Sequence, residues 1–396
     1  MWLPRCTKPT EHRFRCPFDI YSTPDYNCPA RRGLLTLISI VTQNVDRKVR
    51  EFCHFLLYLS IFAAVEGIMP NENLTIGAVG VGAVGTIIAS CLADAGAEIV
   101  VADIPVRNSQ IDNNGLRVSW GDRKLNHRVK TVGSITDLRN YNPDLIYVST
   151  KACMLKRLMP EIAKTAGDNT MVLSVQNGIG TEDEIAKFMK PENVARMVVN
   201  YAGAIDENGD VNVNWFNPPN FFGPLVDGDH PALIKIVEML NSVGMESVLV
   251  DSTAIKKKAY FKTVLNAALM PLCAVMNLTM QEAMQCKTTR ELACDVLKEG
   301  LAVGKELGFD YGDDILKMCE GYLDKGGNHH PSMSVDIRNK RPTEIDFING
   351  KILELGQQFD SICLETNRVL VSMLVGMELR NGTRKPEDVP EYLRKS

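Results

Sequence analysis

From Leu74 onward, short apolar runs alternate with stretches whose apolar positions recur at helical spacing, so strands and helices follow one another. Residues 74–79 (Leu-Thr-Ile-Gly-Ala-Val) predict a short buried strand. Residues 86–95 predict a small apolar helix stopped by Gly96, and residues 98–103 a second strand that closes on an acid. Further strands are expected over 144–150, 170–175, 194–200, 211–216 and 247–251, with a helix over 231–243 between the last two. Past Thr253 helical periodicity dominates, over 254–276, 280–307, 315–323 and 343–358. An alternating half followed by a helix-only half predicts an α/β Rossmann-type N-terminal domain over residues 69–253. An all-α C-terminal domain would follow over 254–396, with the boundary near Asp251 to Ala254.

The first 68 residues lack this texture. They mix Pro, Arg, Cys and aromatics without a period. One apolar run, residues 52–65, is interrupted only by His54 and Ser60. It is shorter than the roughly 20 residues a membrane-spanning helix needs. It is similar to the apolar region of a signal peptide, but it lies far from the first residue. Residues 1–68 are therefore expected to be a non-native or disordered extension, with translation beginning at Met69. A weakly membrane-associated extension is the other reading.

Charge sharpens the picture. Residues 1–68 carry nine Lys/Arg and six Asp/Glu, whereas the rest carries 35 and 42, a net −7. An acidic body argues against a nucleic-acid surface. Of the eleven cysteines, seven lie beyond residue 68 without a C-x-x-C pair, which gives no support to zinc or dithiol chemistry. They are expected to be reduced and mostly buried, in a cytoplasmic protein.

The candidate chemistry begins at the first strand, which runs into Gly80-Val81-Gly82-Ala83-Val84-Gly85, then the helix, then the strand ending at Asp103. Strand, G-x-G-x-x-G, helix, strand and acid in this order form a dinucleotide-binding fingerprint. Gly80 permits the tight turn, Gly82 lets a pyrophosphate approach the backbone, and Gly85 lets the helix pack close to the strand. The helix N-terminus offers free N–H groups and partial positive charge to phosphate. Asp103, 18 residues past Gly85, suits a ribose 2′-hydroxyl and would repel a 2′-phosphate, which leans toward NAD(H). Arg107 could bind a 2′-phosphate if its loop turned inward; otherwise it is a solvated charge. Lys151 and Asn177 sit just past two predicted strands, where ligands of open α/β sheets bind.

Four blocks resemble the ketopantoate reductase (2-dehydropantoate 2-reductase) family over residues 74–393. They are the glycine opening, Gln176-Asn177-Gly178-Ile179-Gly180, Tyr260-Phe261-Lys262-Thr263-Val264-Leu265-Asn266, and the stretch from Pro331-Ser332-Met333-Ser334-Val335-Asp336 to Arg341-Pro342-Thr343-Glu344-Ile345-Asp346-Phe347-Ile348-Asn349-Gly350. The resemblance implies NADP(H)-dependent reduction of a small-molecule 2-oxo acid, 2-dehydropantoate, on the route to pantothenate and coenzyme A. It implies no nucleic-acid or membrane partner, and it admits a homodimer. Lys262 would be the general acid and Glu344 the second catalytic group. Ser332, Asn177 and Asn266 would bind substrate, and Lys151 would contact the cofactor with Asn177 and the glycine turn. Three departures stand out: Met270 replaces a second asparagine, His329 another, and Asn200-Tyr201 a Gly-Thr pair. All three are expected to touch the substrate pocket, so another 2-oxo or 2-hydroxy acid is the alternative substrate. A cofactor-sensing protein without catalysis is a more distant one.

The residues carry the chemistry independently of the likeness. Hydride arriving at a ketone puts negative charge on its oxygen, and a nearby cation or proton donor lowers that barrier. Lys262 and Asn266, one turn apart, would share a helix face. Glu344 could hydrogen-bond the nascent hydroxyl or simply favour a helix start at Thr343-Glu344 and Asp346. Ser332, after Pro331, could be a carboxylate cradle or an ordinary helix cap. His329-His330 lack further ligands at metal spacing, so a surface or pocket-lining role is expected.

Overall fold

The computed structural model describes residues 74–394. The predicted start at Met69 and the expectations for residues 1–68 lie outside the described residues. From Leu74 onward the chain forms one compact unit.

Its first half is built on an eight-stranded sheet. The strands are β1 (Thr75–Val79), β2 (Glu98–Ala102), β5 (Lys130–Val132), β6 (Leu145–Val148), β7 (Met171–Ser174), β8 (Val194–Val198), β11 (Asn220–Pro224) and β12 (Ser247–Leu249), in the order β12-β11-β8-β7-β6-β1-β2-β5. All neighbours run parallel except β8 and β11. Strands buried on both faces read as continuous apolar runs, which is why residues 145–148 and 171–174 are legible as strands. The strand order reverses at β1, flanked by β2 and β6, so the carboxyl end of β1 is the switch-point crevice.

Helices α1 (Ala83–Asp94), α2 (Pro105–Asn114), α3 (Leu155–Thr165), α4 (Thr181–Ala186) and α5 (Pro231–Ser242) cover this sheet. A second sheet, not expected from the sequence, has the order β4-β3-β10-β9, from β3 (Leu116–Trp120), β4 (Arg123–His127), β9 (Tyr201–Ile205) and β10 (Val211–Phe216). Its strands are short and half-exposed, so only β10 shows a clear pattern. Leu116, Val118, Leu125 and Val211 share one core with Ile87, Cys91 and Leu92 of α1.

The second half is helical: α6 (Ser252–Met276), α7 (Met280–Gln285), α8 (Lys287–Glu306), α9 (Ile315–Leu323), α10 (Ser332–Arg338), α11 (Asn349–Gly356), α12 (Glu365–Asn381) and α13 (Glu391–Arg394). The helical half opens with α6, which Asp251 caps by accepting from the Ala254 N–H at 2.7 Å. Although α6 is long and apolar enough to cross a membrane, 78% of its apolar window is buried inside the fold.

Two predicted helices are wrong in outline. Residues 280–307 are two helices that meet at Cys286, which is extended (φ −82°, ψ 124°). The Thr289 hydroxyl donates to the carbonyls of Ala283 and Cys286, offering the backbone an alternative to a continuous ladder. Residues 343–358 are not one helix either. Glu344 precedes a single 3-10 turn at Ile345–Phe347, and α11 starts only at Asn349. Tertiary bonds win here: the Thr343 N–H donates to Glu378 at 2.7 Å, and the Phe347 carbonyl accepts from Ile179 at 2.8 Å. The cysteines are also less uniform than expected: Cys91, Cys273 and Cys319 are buried, Cys153 and Cys294 half-buried, Cys286 and Cys363 exposed.

Candidate active site

The glycine turn sits at the carboxyl end of β1, against the residues that follow β6. Gly80 has φ +84°, a conformation that favours glycine, and a Cβ there would lie 2.5 Å from Thr150 Cγ2 and 2.8 Å from the Thr150 nitrogen. Ser149 Oγ donates to the Gly80 carbonyl. A Cβ on Gly85 would run into Ser149 Oγ and that same carbonyl, so Gly85 permits the close approach of α1 to the turn. Gly82 differs: it is exposed, and a Cβ there would meet nothing within 4 Å. Helix α1 starts at Ala83, with Val84 beside it, and no side chain caps it. An open glycine in front of an uncapped helix N-terminus fits a pyrophosphate.

Asp103 follows β2. Its carboxylate accepts from the N–H groups of Val81 (2.5 Å) and Ile104 (2.6 Å), which fixes it beside the turn with lone pairs left for a ribose hydroxyl. Arg107 contradicts both sequence expectations. It is neither solvated nor turned toward a phosphate: only 6% exposed, it donates to Val81 O (2.9 Å), Thr86 Oγ1 (2.8 Å), Gly209 O (2.9 Å) and Gln110 Oε1 (3.2 Å). The reason is local. Pro105 starts α2 immediately after β2, which turns Arg107 under the glycine loop.

The second cluster lies where the helical half meets the ends of β6, β7 and β8. Lys262 and Asn266, one turn apart on α6, line a small cavity with Gln176, Asn177, Gly178 and Arg196. Lys262 Nζ donates to the Val199 carbonyl just past β8. Burial lowers its pKa to about 7, helped by the Arg196 charge and opposed by Glu344. The loop 176–180 is pinned to the helical half. Gly178 has φ +102°, and a Cβ there would lie 2.6 Å from Phe347.

Glu344 is buried, and its Oε1 accepts from the Ala152 N–H at 3.1 Å. Lys151 Nζ lies 2.5 Å from Asp336 Oδ2 and 3.9 Å from Glu344 Oε2. Burial works against the Lys151 charge, but Glu344 and Asp336 together raise its pKa; burial also raises that of Asp336. The structure thus joins Lys151, Asp336 and Glu344 across the two halves, and separately joins Lys262, Asn266 and Asn177.

Ser332 is exposed at the first turn of α10, which packs on α6, but it does not line the Lys262 cavity. Two expected pocket positions are corrected. The Asn200 side chain donates to the Pro219 carbonyl at 2.6 Å, and the Tyr201 hydroxyl donates to Val84 O at 3.1 Å. Both side chains are buried elsewhere and line no part of the cavity. Met270 is buried one turn past Asn266 and His329 is exposed, and neither lines the cavity, against expectation. His330 faces the Leu278 carbonyl and Arg338. Sequence reasoning missed Asp336, Gln176 and Arg196. Arg196 carried a signal, an arginine inside the apolar run Val194-Ala195-Arg196-Met197-Val198-Val199.

A dinucleotide turn at a switch point, with a half-buried lysine over the carboxyl ends of the same sheet, is the arrangement of an NAD(P)-dependent oxidoreductase acting on CH–OH. Residues 76–225 match the family model "Ketopantoate reductase PanE/ApbA" and residues 254–378 match "Ketopantoate reductase PanE/ApbA C terminal". The chain belongs to the ketopantoate reductase family. It is 26% identical over 308 residues to a 2-dehydropantoate 2-reductase of Pyrococcus abyssi, covering 77% of this chain and 98% of that protein. It is 27% identical over 303 residues to one of Archaeoglobus fulgidus, covering 76% and 96%. Among solved structures it is similar to D-mandelate dehydrogenase with NADH and anilino(oxo)acetate (TM-score 0.70, 25% identity, covering 78% of this chain and 100% of that one). It also shares its fold with a PanE/ApbA family ketopantoate reductase from Ralstonia eutropha JMP134 (TM-score 0.70, 22% identity, covering 78% and 99%).

Proposed function

We propose that the protein reduces 2-dehydropantoate with NADH, Lys262 giving the proton. The observation that carries this reading is the inward-facing Lys262, held by the Val199 carbonyl and with its pKa brought down to about 7. An amine poised there is charged often enough to bind an anionic substrate and acidic enough to release its proton. The dinucleotide supplies the hydride to the carbonyl carbon. Lys262 Nζ passes a proton to the carbonyl oxygen as charge develops on it, and the amides of Asn266 and Asn177 orient that oxygen and its neighbours. Glu344, anchored by the Ala152 N–H, faces the lysine's charge and steadies it. Lys151, held by Asp336 near Glu344, would meet the cofactor.

NADH is favoured over NADPH on two grounds. Asp103, held at the end of β2, would repel a 2′-phosphate, and four of the five N–H groups of Arg107 are already bonded beneath the turn. The resemblance alone implied NADP(H). A second reading, a 2-oxo acid with an apolar side chain, is favoured by Met270, buried one turn beyond Asn266 where the family pattern has an amide. The D-mandelate dehydrogenase likeness is consistent with it. Initial rates with NADH and NADPH, each against 2-dehydropantoate, 2-oxoisovalerate and phenylglyoxylate, test both. Fastest NADH oxidation with 2-dehydropantoate is expected. Turnover confined to the apolar acids would move the assignment to the second reading, and preference for NADPH would overturn the role of Asp103.

A further inference from the structure

We propose that Arg196 is a positioning residue for this reaction: its guanidinium clamps the loop that carries Asn177 and sets a second buried cation across the cavity from Lys262. The inference rests on the proposed role of Lys262 as proton donor.

Four observations support it. Arg196 lies inside β8, the strand whose end supplies the Val199 carbonyl to Lys262, and it is 3% exposed. One end of its fork donates to the Gly178 carbonyl at 2.5 Å and the Gln176 carbonyl at 3.3 Å, the residues on either side of Asn177. The other end binds Thr181 Oγ1 at 2.8 Å and Glu182, itself 5% exposed. Finally, Arg196 Nε and Gln176 Nε2 are buried donors without a hydrogen-bond partner among the described residues, and both residues line the Lys262 cavity. Buried donors are nearly always satisfied, so two orphans on residues of one cavity mark a place that receives an acceptor. A buried ion pair contributes little net stability by itself, which makes a purely structural reason for this one weak.

The charged groups around Lys262 are few. Arg196 faces it from β8 and Glu344 from the segment before α11, while Lys258 sits one turn earlier on α6, over the Phe221 ring. Lys151 and Asp336 are gathered at Glu344, and Glu182 lies at the far end of Arg196. Of these, Arg196 is the one cation that disfavours protonation of Lys262, acting after burial. Removing its charge therefore moves the lysine's titration toward alkaline pH. Loosening the clamp on 176–178 loosens Asn177 and weakens substrate binding.

The test uses Arg196→Lys and the double variant Glu182→Gln/Arg196→Gln, which avoids a lone buried carboxylate. The titration of Lys262 is read in two ways: by the pH dependence of its acetylation, followed by mass spectrometry, and by the alkaline limb of kcat/KM. The first readout does not depend on which substrate the enzyme takes. The double variant should shift both midpoints alkaline by about half a unit or more, with KM for the oxo acid raised about tenfold. Arg196→Lys should keep the midpoint, because the charge remains, and still raise KM, because the fork is gone. A folded double variant whose Lys262 midpoint and KM match the parent would overturn the proposal, as would an equal shift in Arg196→Lys. If wild-type protein turns over no 2-oxo acid but the acetylation midpoint still moves, the reaction fails and the electrostatic role of Arg196 survives.

Discussion

Lys262 is placed where function and stability conflict. Its amine is buried beside Arg196, and its folded pKa of about 7 lies well below the ordinary lysine value of 10.5. Between those values the unfolded chain holds a proton that the folded chain has released, so stability rises with pH across that window. Below about pH 7 both states are protonated, and the full cost of the buried charge is present. Lys262→Met should therefore raise the unfolding free energy by about 1–3 kcal/mol at pH 6, and the gain should fade toward pH 10. Denaturant melts at the two pH values check this. The glycines of the turn differ in kind. Gly80→Ala must place a Cβ against Thr150 at positive φ and should cost about 2–4 kcal/mol of stability. Gly82→Ala faces open space, so its melting should be nearly unchanged while dinucleotide affinity drops at least tenfold, by titration of NADH fluorescence.

At the scale of elements, one side chain, Arg107, ties α2 to both the glycine turn and the β9–β10 turn, where Gln110 and Asn114 add bonds to the Glu207 and Asn208 carbonyls. Arg107→Met would strand the Gly209 carbonyl and leave the Val81 carbonyl with the Thr86 hydroxyl as its remaining donor. It should destabilise the protein by about 2–4 kcal/mol and weaken NADH binding without creating affinity for NADPH. Calorimetry with both nucleotides measures the two effects. Elements whose own residues dictate them were legible: β1 and α1 from the glycine spacing, β6 and β7 from apolar runs, α6 from its helical spacing and length. Elements decided by distant partners were not. The break at Cys286 follows from Thr289 hydroxyl bonds, and the unwound stretch around Glu344 from Glu378 and Ile179. The strands β3, β4 and β9 are too short and too exposed to leave a period. In the site, Lys262, Asn266 and Glu344 were readable as a motif. Arg107 was misread because nothing in the sequence says that α2 would carry it under the loop.

Across the whole molecule, the two clusters divide the work. In the proposed function the glycine turn, Asp103 and the α1 N-terminus would cradle the cofactor at the switch point, while α6 lays Lys262 over the ends of β7 and β8. The Lys151–Asp336–Glu344 group and the Gly178–Phe347 contact join the α/β half to the helical half. The arrangement makes one demand that can be measured directly: Lys262 must act in turnover and not in holding the cofactor. The decisive experiment compares wild type and Lys262→Gln in NADH oxidation by the preferred 2-oxo acid, with NADH affinity measured on the same preparations. A fall in kcat of about 10²–10⁴-fold with NADH affinity within twofold of wild type is expected. Turnover by Lys262→Gln within a few-fold of wild type would contradict the account.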